Sequence, residues 1–508
     1  MIARKSLLIM GSRLVMNFAG FVSWYFIAHY ILINYTSSVG FAISYLGLLG
    51  LITDIGFSNA HVKRVSEGKD IGRCVGTYAS IKITLLGLFA GLVFFSFFFY
   101  KNIYPGWDFA NDYDQKVITL MLAWFIFSGL SQIPIQTFIG RQQMAKAQTA
   151  LVISALVQSI VTIVIVLNYN NVYYLAYTWI IGSIVTLIAS YLLFIGTPVK
   201  LPTFKFVKSY TSFALPLMFV AGATPIALNM DKVMIKLFLT DTAVGLYWNA
   251  QKYAQLPDAL TQSVSTVLFP AMSSIAASGS MSHIKKITHS AERYLSMIIF
   301  PGAFILAAIS EPFVYIFSGP QYVNSSIILS ILMGWAVMKT LARPYSTHFL
   351  AFNKTKYFMV TSSAYLVTVM ITNLVFIPDD IYGVRMLGLG APGAALATLL
   401  AVSVNYFIIR WLSRRIIKTG FNRSIMIHLF SAGITGILLI LLQWVHAIGR
   451  IYELVGYALL GIFVYLLLLR VMNEFTKRDL DFFLDTFNVR KMYEYIVDEL
   501  FGFRKKTQ

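Results

Sequence analysis

The chain has 508 residues, of which 58% are hydrophobic, 15% aromatic and only 12% charged, about half the charge of a soluble domain. With a mean hydropathy of +0.72, this excludes a water-soluble globule, and the single cysteine, Cys74, excludes an intramolecular disulfide or a thiolate metal cluster. The net charge of +19, from 40 Lys and Arg against 21 Asp and Glu, is explained by where the basic residues fall.

Apolar stretches of the roughly 20 residues that cross a bilayer recur along nearly the whole chain. The predicted spans are 7–32, 39–59, 75–100, 117–138, 149–167, 173–195, 209–239, 243–272, 294–317, 324–350, 358–377, 388–409, 425–445 and 451–471. The first has no small-residue cleavage site after it and is too long for a signal segment, so it reads as a retained anchor. The seventh and eighth contain Pro216, Pro225, Pro257 and Pro270 and are expected to kink or break. The tail 473–508 mixes charge with residues such as Phe475, Leu480, Phe483 and Phe487, which predicts amphipathic helices on the membrane surface.

Twenty-nine of the forty Lys and Arg lie in alternate segments, beginning with the N-terminus; the intervening loops hold only Lys101, Lys116, Arg385 and Arg450. The positive-inside rule then predicts about fourteen spans in the plasma or inner membrane with both termini cytoplasmic. The net charge reports topology, and nucleic acid is not an expected partner. The expected architecture is an all-α polytopic membrane protein with an N-terminal six-helix lobe (1–200), a second six-helix lobe (201–412), two additional spans (413–472) and a cytoplasmic tail (473–508).

Ionisable groups inside spans are functional candidates, because each costs roughly 2.5–3.5 kcal/mol to insert. The basic ones are Arg13, Lys82, Lys232, Lys236, Lys252, Lys339 and Arg343; the acidic ones are Asp54, Asp231, Asp258 and Glu311. This excess of positive charge suits a cavity for an anionic group. Arg13 and Asn17 share a helical face, as do Lys339 and Arg343. In the eighth span Gln251, Gln255, Asp258, Gln262 and Ser265 recur at helical spacing, forming a polar stripe with Lys252 at its edge. Lys236 and Glu311, near span ends, are expected to snorkel.

Enzymatic readings are weaker. Asp112-Tyr113-Asp114 could hold a metal and a sugar phosphate in a glycosyltransferase or polymerase, but loops are short, so a solvated loop is expected. The histidines fit no ligand spacing and there is no Walker loop. No enzymatic activity, metal or cofactor is expected.

Val39-Gly40 opens the second span and Val244-Gly245 the eighth, each entering from the side opposite the basic loops. This is the pattern of two parallel halves related by an axis along the membrane normal. Around it stand Asn229-Met230-Asp231-Lys232-Val233-Met234-Ile235, Thr242-Ala243-Val244-Gly245-Leu246-Tyr247 and Val267-Leu268-Phe269-Pro270-Ala271-Met272. Further along are Asp54-Ile55-Gly56-Phe57-Ser58-Asn59-Ala60 and Gly390-Ala391-Pro392-Gly393-Ala394-Ala395. In these blocks, over roughly residues 1–470, the chain resembles the polysaccharide-biosynthesis flippases of the multidrug/oligosaccharidyl-lipid/polysaccharide (MOP) exporter superfamily.

The resemblance implies two MATE-like lobes around a central cavity that opens alternately to either side. It implies transport of a polyprenyl-phosphate- or pyrophosphate-linked oligosaccharide to the outer leaflet, with membrane lipids and glycan-assembly enzymes as partners and a monomer as the working unit. Arg13 matches the first-span position that binds phosphate in such flippases. Lys82, Lys252, Lys339 and Arg343 are expected to join it. Asn17, Asp54, Asp231, Lys232, Gln251, Gln255, Asp258 and Gln262 are expected to meet sugar or a coupling ion, Na+ or H+. A cation-coupled multidrug antiporter on the same fold is the first alternative.

Overall fold

A computed structural model describes residues 2–54, 56–103, 112–257, 281–352, 354–420, 422–477 and 479. The first lobe contains α1 (Ile2–Tyr30), α2 (Ile33–Leu49), a 3-10 turn (Gly50–Asp54), α3 (Phe57–Ser66), α4 (Ile71–Ile103), α5 (Asp112–Gly140), α6 (Met144–Asn168) and α7 (Val172–Leu192). The second contains α8 (Phe204–Phe238), α9 (Asp241–Ala254), α10 (Met281–Ala308), α11 (Ser310–Ser318), α12 (Ser325–Ala351), α13 (Thr355–Phe376) and α14 (Gly390–Ile416). α15 (Arg423–Val445) and α16 (Ile451–Val471) follow. Helices occupy the predicted positions wherever residues are described, the second half of the eighth lying outside them, and eleven of the described helices are long and apolar enough to cross a membrane. In lipid a helix satisfies its own backbone, so hydropathy placed these elements well.

In the first lobe α1 packs on α6, and α5 on α7; in the second, α12 and α13 pack on α14, and α10 on α12. α8 joins them. Its first turns dock on the first lobe, where Tyr210 meets His61 Nδ1 at 3.0 Å and Arg64 donates to the Ser209 carbonyl at 3.2 Å. Its last turns pack on α13. Buried polar side chains link neighbouring helices: Ser23 with Ser159, Thr186 with Ser154, and His348 with both Thr288 and Ser413. Such bonds contribute about 0.6–2 kcal/mol each in a membrane.

The eighth span is interrupted after Ala254, as expected, and a further break falls where there is no proline. α8 continues through Pro216 and Pro225, whereas the second span divides between α2 and α3 with no proline present. Gly56, with a left-handed φ of 82°, allows the reversal, and charged side chains satisfy the backbone it frees. Asp54 accepts from the Ser58 N–H at 2.8 Å and Lys82 Nζ donates to the Thr53 carbonyl at 2.9 Å. Removing a charge-assisted bond of this kind costs about 1.5–3 kcal/mol. Lys82→Met is therefore expected to lower the unfolding midpoint of the purified protein by several degrees, and unchanged melting would show that the break holds without it.

The α2–α9 contact is where the two lobes meet most closely, through the two repeated glycines. A Cβ on Gly40 would lie 2.6 Å from the Trp248 ring, and one on Gly245 would collide with Ser37 Oγ. At the opposite end of the molecule, Arg293 of α10 bonds Glu474 and Asp479 at 2.6–2.8 Å, tying the start of the tail to the second lobe and holding the Asp479 carboxyl well below its usual range. The rest of the predicted amphipathic tail lies outside the described residues.

Candidate functional site

Lys252 lies eleven residues into α9, about 16 Å along the helix at 1.5 Å per residue. Its ammonium faces three indoles, with ring centroids 5.3 Å away at Trp248, 5.6 Å at Trp179 and 5.7 Å at Trp24. Trp248 sits one turn before Lys252 on the same helical face, while Trp24 on α1 and Trp179 on α7 come from the other lobe. The cage has its own supports. Trp24 Nε1 donates to Asn249 Oδ1 at 2.8 Å, and Asn249 bonds Ser325 and Ser318 at 2.8 and 2.9 Å. Trp24 stands edge-on to Trp248 at 4.8 Å, and Trp124 edge-on to Trp179 at 5.6 Å.

Indole faces attract a cation by about 0.5–2 kcal/mol but accept none of its hydrogen bonds. Among the described residues Lys252 has no carboxylate or hydrogen-bond acceptor, and its side chain is only half-buried. A desolvated ammonium with free donors is suited to an anionic ligand. The sequence marked Lys252 but not its walls, although Trp248 was detectable by its i, i+4 spacing.

Asp231 of α8 is 1% exposed and is reached from three other helices. Tyr247 of α9 donates to it at 2.5 Å, Asn373 of α13 at 2.8 Å and Thr398 of α14 at 2.8 Å. No basic side chain pairs with it among the described residues, and Asn373 Oδ1 is buried without a partner. Carboxylate, amide and hydroxyl oxygens around a buried negative charge suit a proton or a hard cation such as Na+. Lys232, its neighbour in sequence, points elsewhere and donates to Gln251 Oε1 at 2.6 Å and the Leu228 carbonyl at 3.0 Å. Lys232 and Gln251 are both buried, so neither lines an open space here.

The other expected site residues scatter. Lys82 and Asp54 belong to the helix break, where Lys82 is 3% exposed. On α1, Arg13 is half-buried and Asn17 exposed, about 16 and 10 Å respectively from Trp24 along the axis. On α12, Lys339 Nζ stands 4.6 Å from the Trp335 ring centroid and Arg343 is half-buried one turn on. Of the predicted stripe, Gln251 is buried and Gln255, which caps α9 in right-handed helical geometry, is exposed. Asp258 and Gln262 lie outside the described residues.

The expected solvated loop at Asp112–Asp114 is also corrected. Asp114, at the start of α5, is 1% exposed and holds Lys236 Nζ of α8 at 2.6 Å; Lys236 also pairs with Asp241 at the start of α9. Lys236 is thus ion-paired between lobes rather than snorkelling, and Asp114 is already engaged by a cation, which removes it from the glycosyltransferase reading. Nearby contacts also cross the seam: Thr36 with Tyr322 at 2.7 Å and Thr242 with Asn34 at 3.1 Å. This end, opposite the basic loops, is closed.

The fold is shared with known transporters. A structure of the lipid II flippase MurJ in an inward closed conformation superposes with a TM-score of 0.73 at 17% identity, covering 94% of this chain and 99% of that one. An inward-facing multidrug resistance MATE transporter of the MOP superfamily gives 0.65 at 13% identity over 79% and 94% of the two chains. At such identities the likeness establishes the fold. In sequence, the chain is 24% identical over 363 residues to a protein of Haloferax volcanii named as a probable low-salt glycan biosynthesis flippase, Agl15, spanning 71% of this chain and 72% of that one. The sequence profile of the polysaccharide biosynthesis proteins matches residues 38–327, more than half of its length. With its MOP-type fold, the chain belongs to the polysaccharide biosynthesis protein family.

Proposed function

We propose that the protein is a flippase that carries a polyprenyl-phosphate- or pyrophosphate-linked oligosaccharide from the cytoplasmic to the outer leaflet by alternating access, supplying surface polysaccharide or glycoprotein glycans. The observation that carries this reading is Lys252, a membrane-depth ammonium at the seam between lobes with no protein counter-ion among the described residues. A phosphate head has the charge and acceptors to complete it. Arg13, Lys339 and Arg343, half-buried and basic, would guide the head along its path. With the basic loops inside, both termini would face the cytoplasm. The Asp231 oxygens would take a coupling Na+ or H+; glycan-assembly enzymes would supply and receive the substrate, and the protein itself would perform no covalent chemistry.

The test is transbilayer movement of a fluorescent polyprenyl-linked oligosaccharide in proteoliposomes. Lys252→Ala is expected to slow it by about 10- to 100-fold, the kinetic equivalent of 1.5–3 kcal/mol for a hydrogen bond to a charged group. Arg13→Ala is expected to slow it less, as an entry contact. Normal movement in both variants would remove the phosphate site from Lys252. Efflux of a cationic dye, with no movement of lipid-linked glycans, would establish the multidrug antiporter instead.

A further inference from the structure

Resting on the flippase reading, we infer that Trp24, Trp179 and Trp248 are positioning residues that tie phosphate affinity to the closed state of the seam: the cage around Lys252 exists only while the two lobes are together at the end opposite the basic loops. Lys252 and Trp248 lie on α9, whereas Trp24 and Trp179 lie on α1 and α7. Any movement that parts α2 from α9 also takes two of the three indoles away from the ammonium.

The chemical consequence follows from hydration. With its three rings in place, the Lys252 ammonium is held in a fixed position and partly shielded from water, so a phosphate oxygen meets pre-placed, less solvated donors. When the lobes part, water reaches the ammonium and the long side chain regains its rotamers. Affinity for phosphate then falls where release is required. The supports of the cage fit this role. Asn249 anchors Trp24 across the seam and is itself fully buried and held by Ser318 and Ser325, so the same contact that closes the seam orients the ring.

The experiment uses the full-length protein in nanodiscs and undecaprenyl pyrophosphate as the probe. Trp179→Ala is expected to weaken binding about 10-fold, an effect of the size of one desolvated cation–π contact; Trp179→Phe, which keeps a ring face, is expected to recover most of it. Among the described residues Trp179 makes ring contacts but no seam hydrogen bond, so its variants report on the cage if Trp24→Ala, which also takes a hydrogen bond from Asn249 across the seam, fails to fold. A second arm introduces Asn34→Cys with Thr242→Cys, whose present side chains bond across the seam at 3.1 Å. Oxidising that pair is expected to preserve full affinity while stopping transport. Equal binding by wild type, Trp179→Ala and Trp179→Phe would overturn the inference. So would a phenylalanine variant no better than alanine, or affinity lost on oxidising the seam. Absence of binding by the wild type itself would instead overturn the flippase reading, and this inference with it.

Discussion

Replacing Lys236 by methionine is expected to open the seam end of the molecule. In the closed state its ammonium lies between Asp114 of the first lobe and Asp241 of the second, and Asp114 is almost completely shielded from solvent. Removing one member of a buried pair costs about 3–5 kcal/mol, because the remaining charge is stranded. Opening hydrates Asp114, so that cost falls on the closed state alone. Each 1.4 kcal/mol is tenfold in population, and a shift near 5.5 kcal/mol would invert a 1:99 equilibrium. The check is labelling of Thr36→Cys, a fully buried seam position, with a membrane-impermeant maleimide; the native Cys74 is buried and gives little background. Labelling should accelerate on the order of 100-fold in Lys236→Met. It should return toward the slow rate when Asp114→Asn is added to Lys236→Met, which removes the stranded charge. Unchanged labelling in Lys236→Met would show that the glycine-mediated packing of α2 on α9 closes the seam unaided.

Asp231→Asn is the second large effect. The exchange keeps the shape of the side chain and removes its charge, so the helices remain linked while the attraction for a cation disappears. In the wild type, Na+ at about 100 times its dissociation constant would stabilise the folded state by about 2.7 kcal/mol, visible as a higher unfolding temperature in NaCl than in KCl. The asparagine variant should melt at one temperature in both salts, and gradient-driven transport should fall to the rate seen without a gradient. If the ion is a proton, the wild type should respond to a pH gradient and not to Na+, and the variant to neither. A variant that keeps the gradient response of the wild type would place coupling elsewhere in the protein.

These two sites show how differently the sequence speaks about elements and about partners. Lipid acts as a solvent that forces each crossing segment to satisfy its own backbone and to expose apolar side chains. Membrane-spanning helices, two parallel lobes and the paired Val-Gly openings could therefore be read from local composition alone. The same costs singled out Lys252 and Asp231 as groups that need compensation inside a membrane.

What compensates each was decided only by tertiary structure. The partners of Asp231 lie 142 and 167 residues away at Asn373 and Thr398, the walls around Lys252 come from three helices, and Lys82 serves a helix break that proline content did not reveal. Asp114 looked like half of a metal motif until α8 brought Lys236 against it. Hydropathy and helical period are properties of neighbouring residues, fixed by a solvent that acts on every segment separately. The compensation of a buried charge depends on which atoms lie within 3 Å of it, and distant segments meet at that distance only when helices pack.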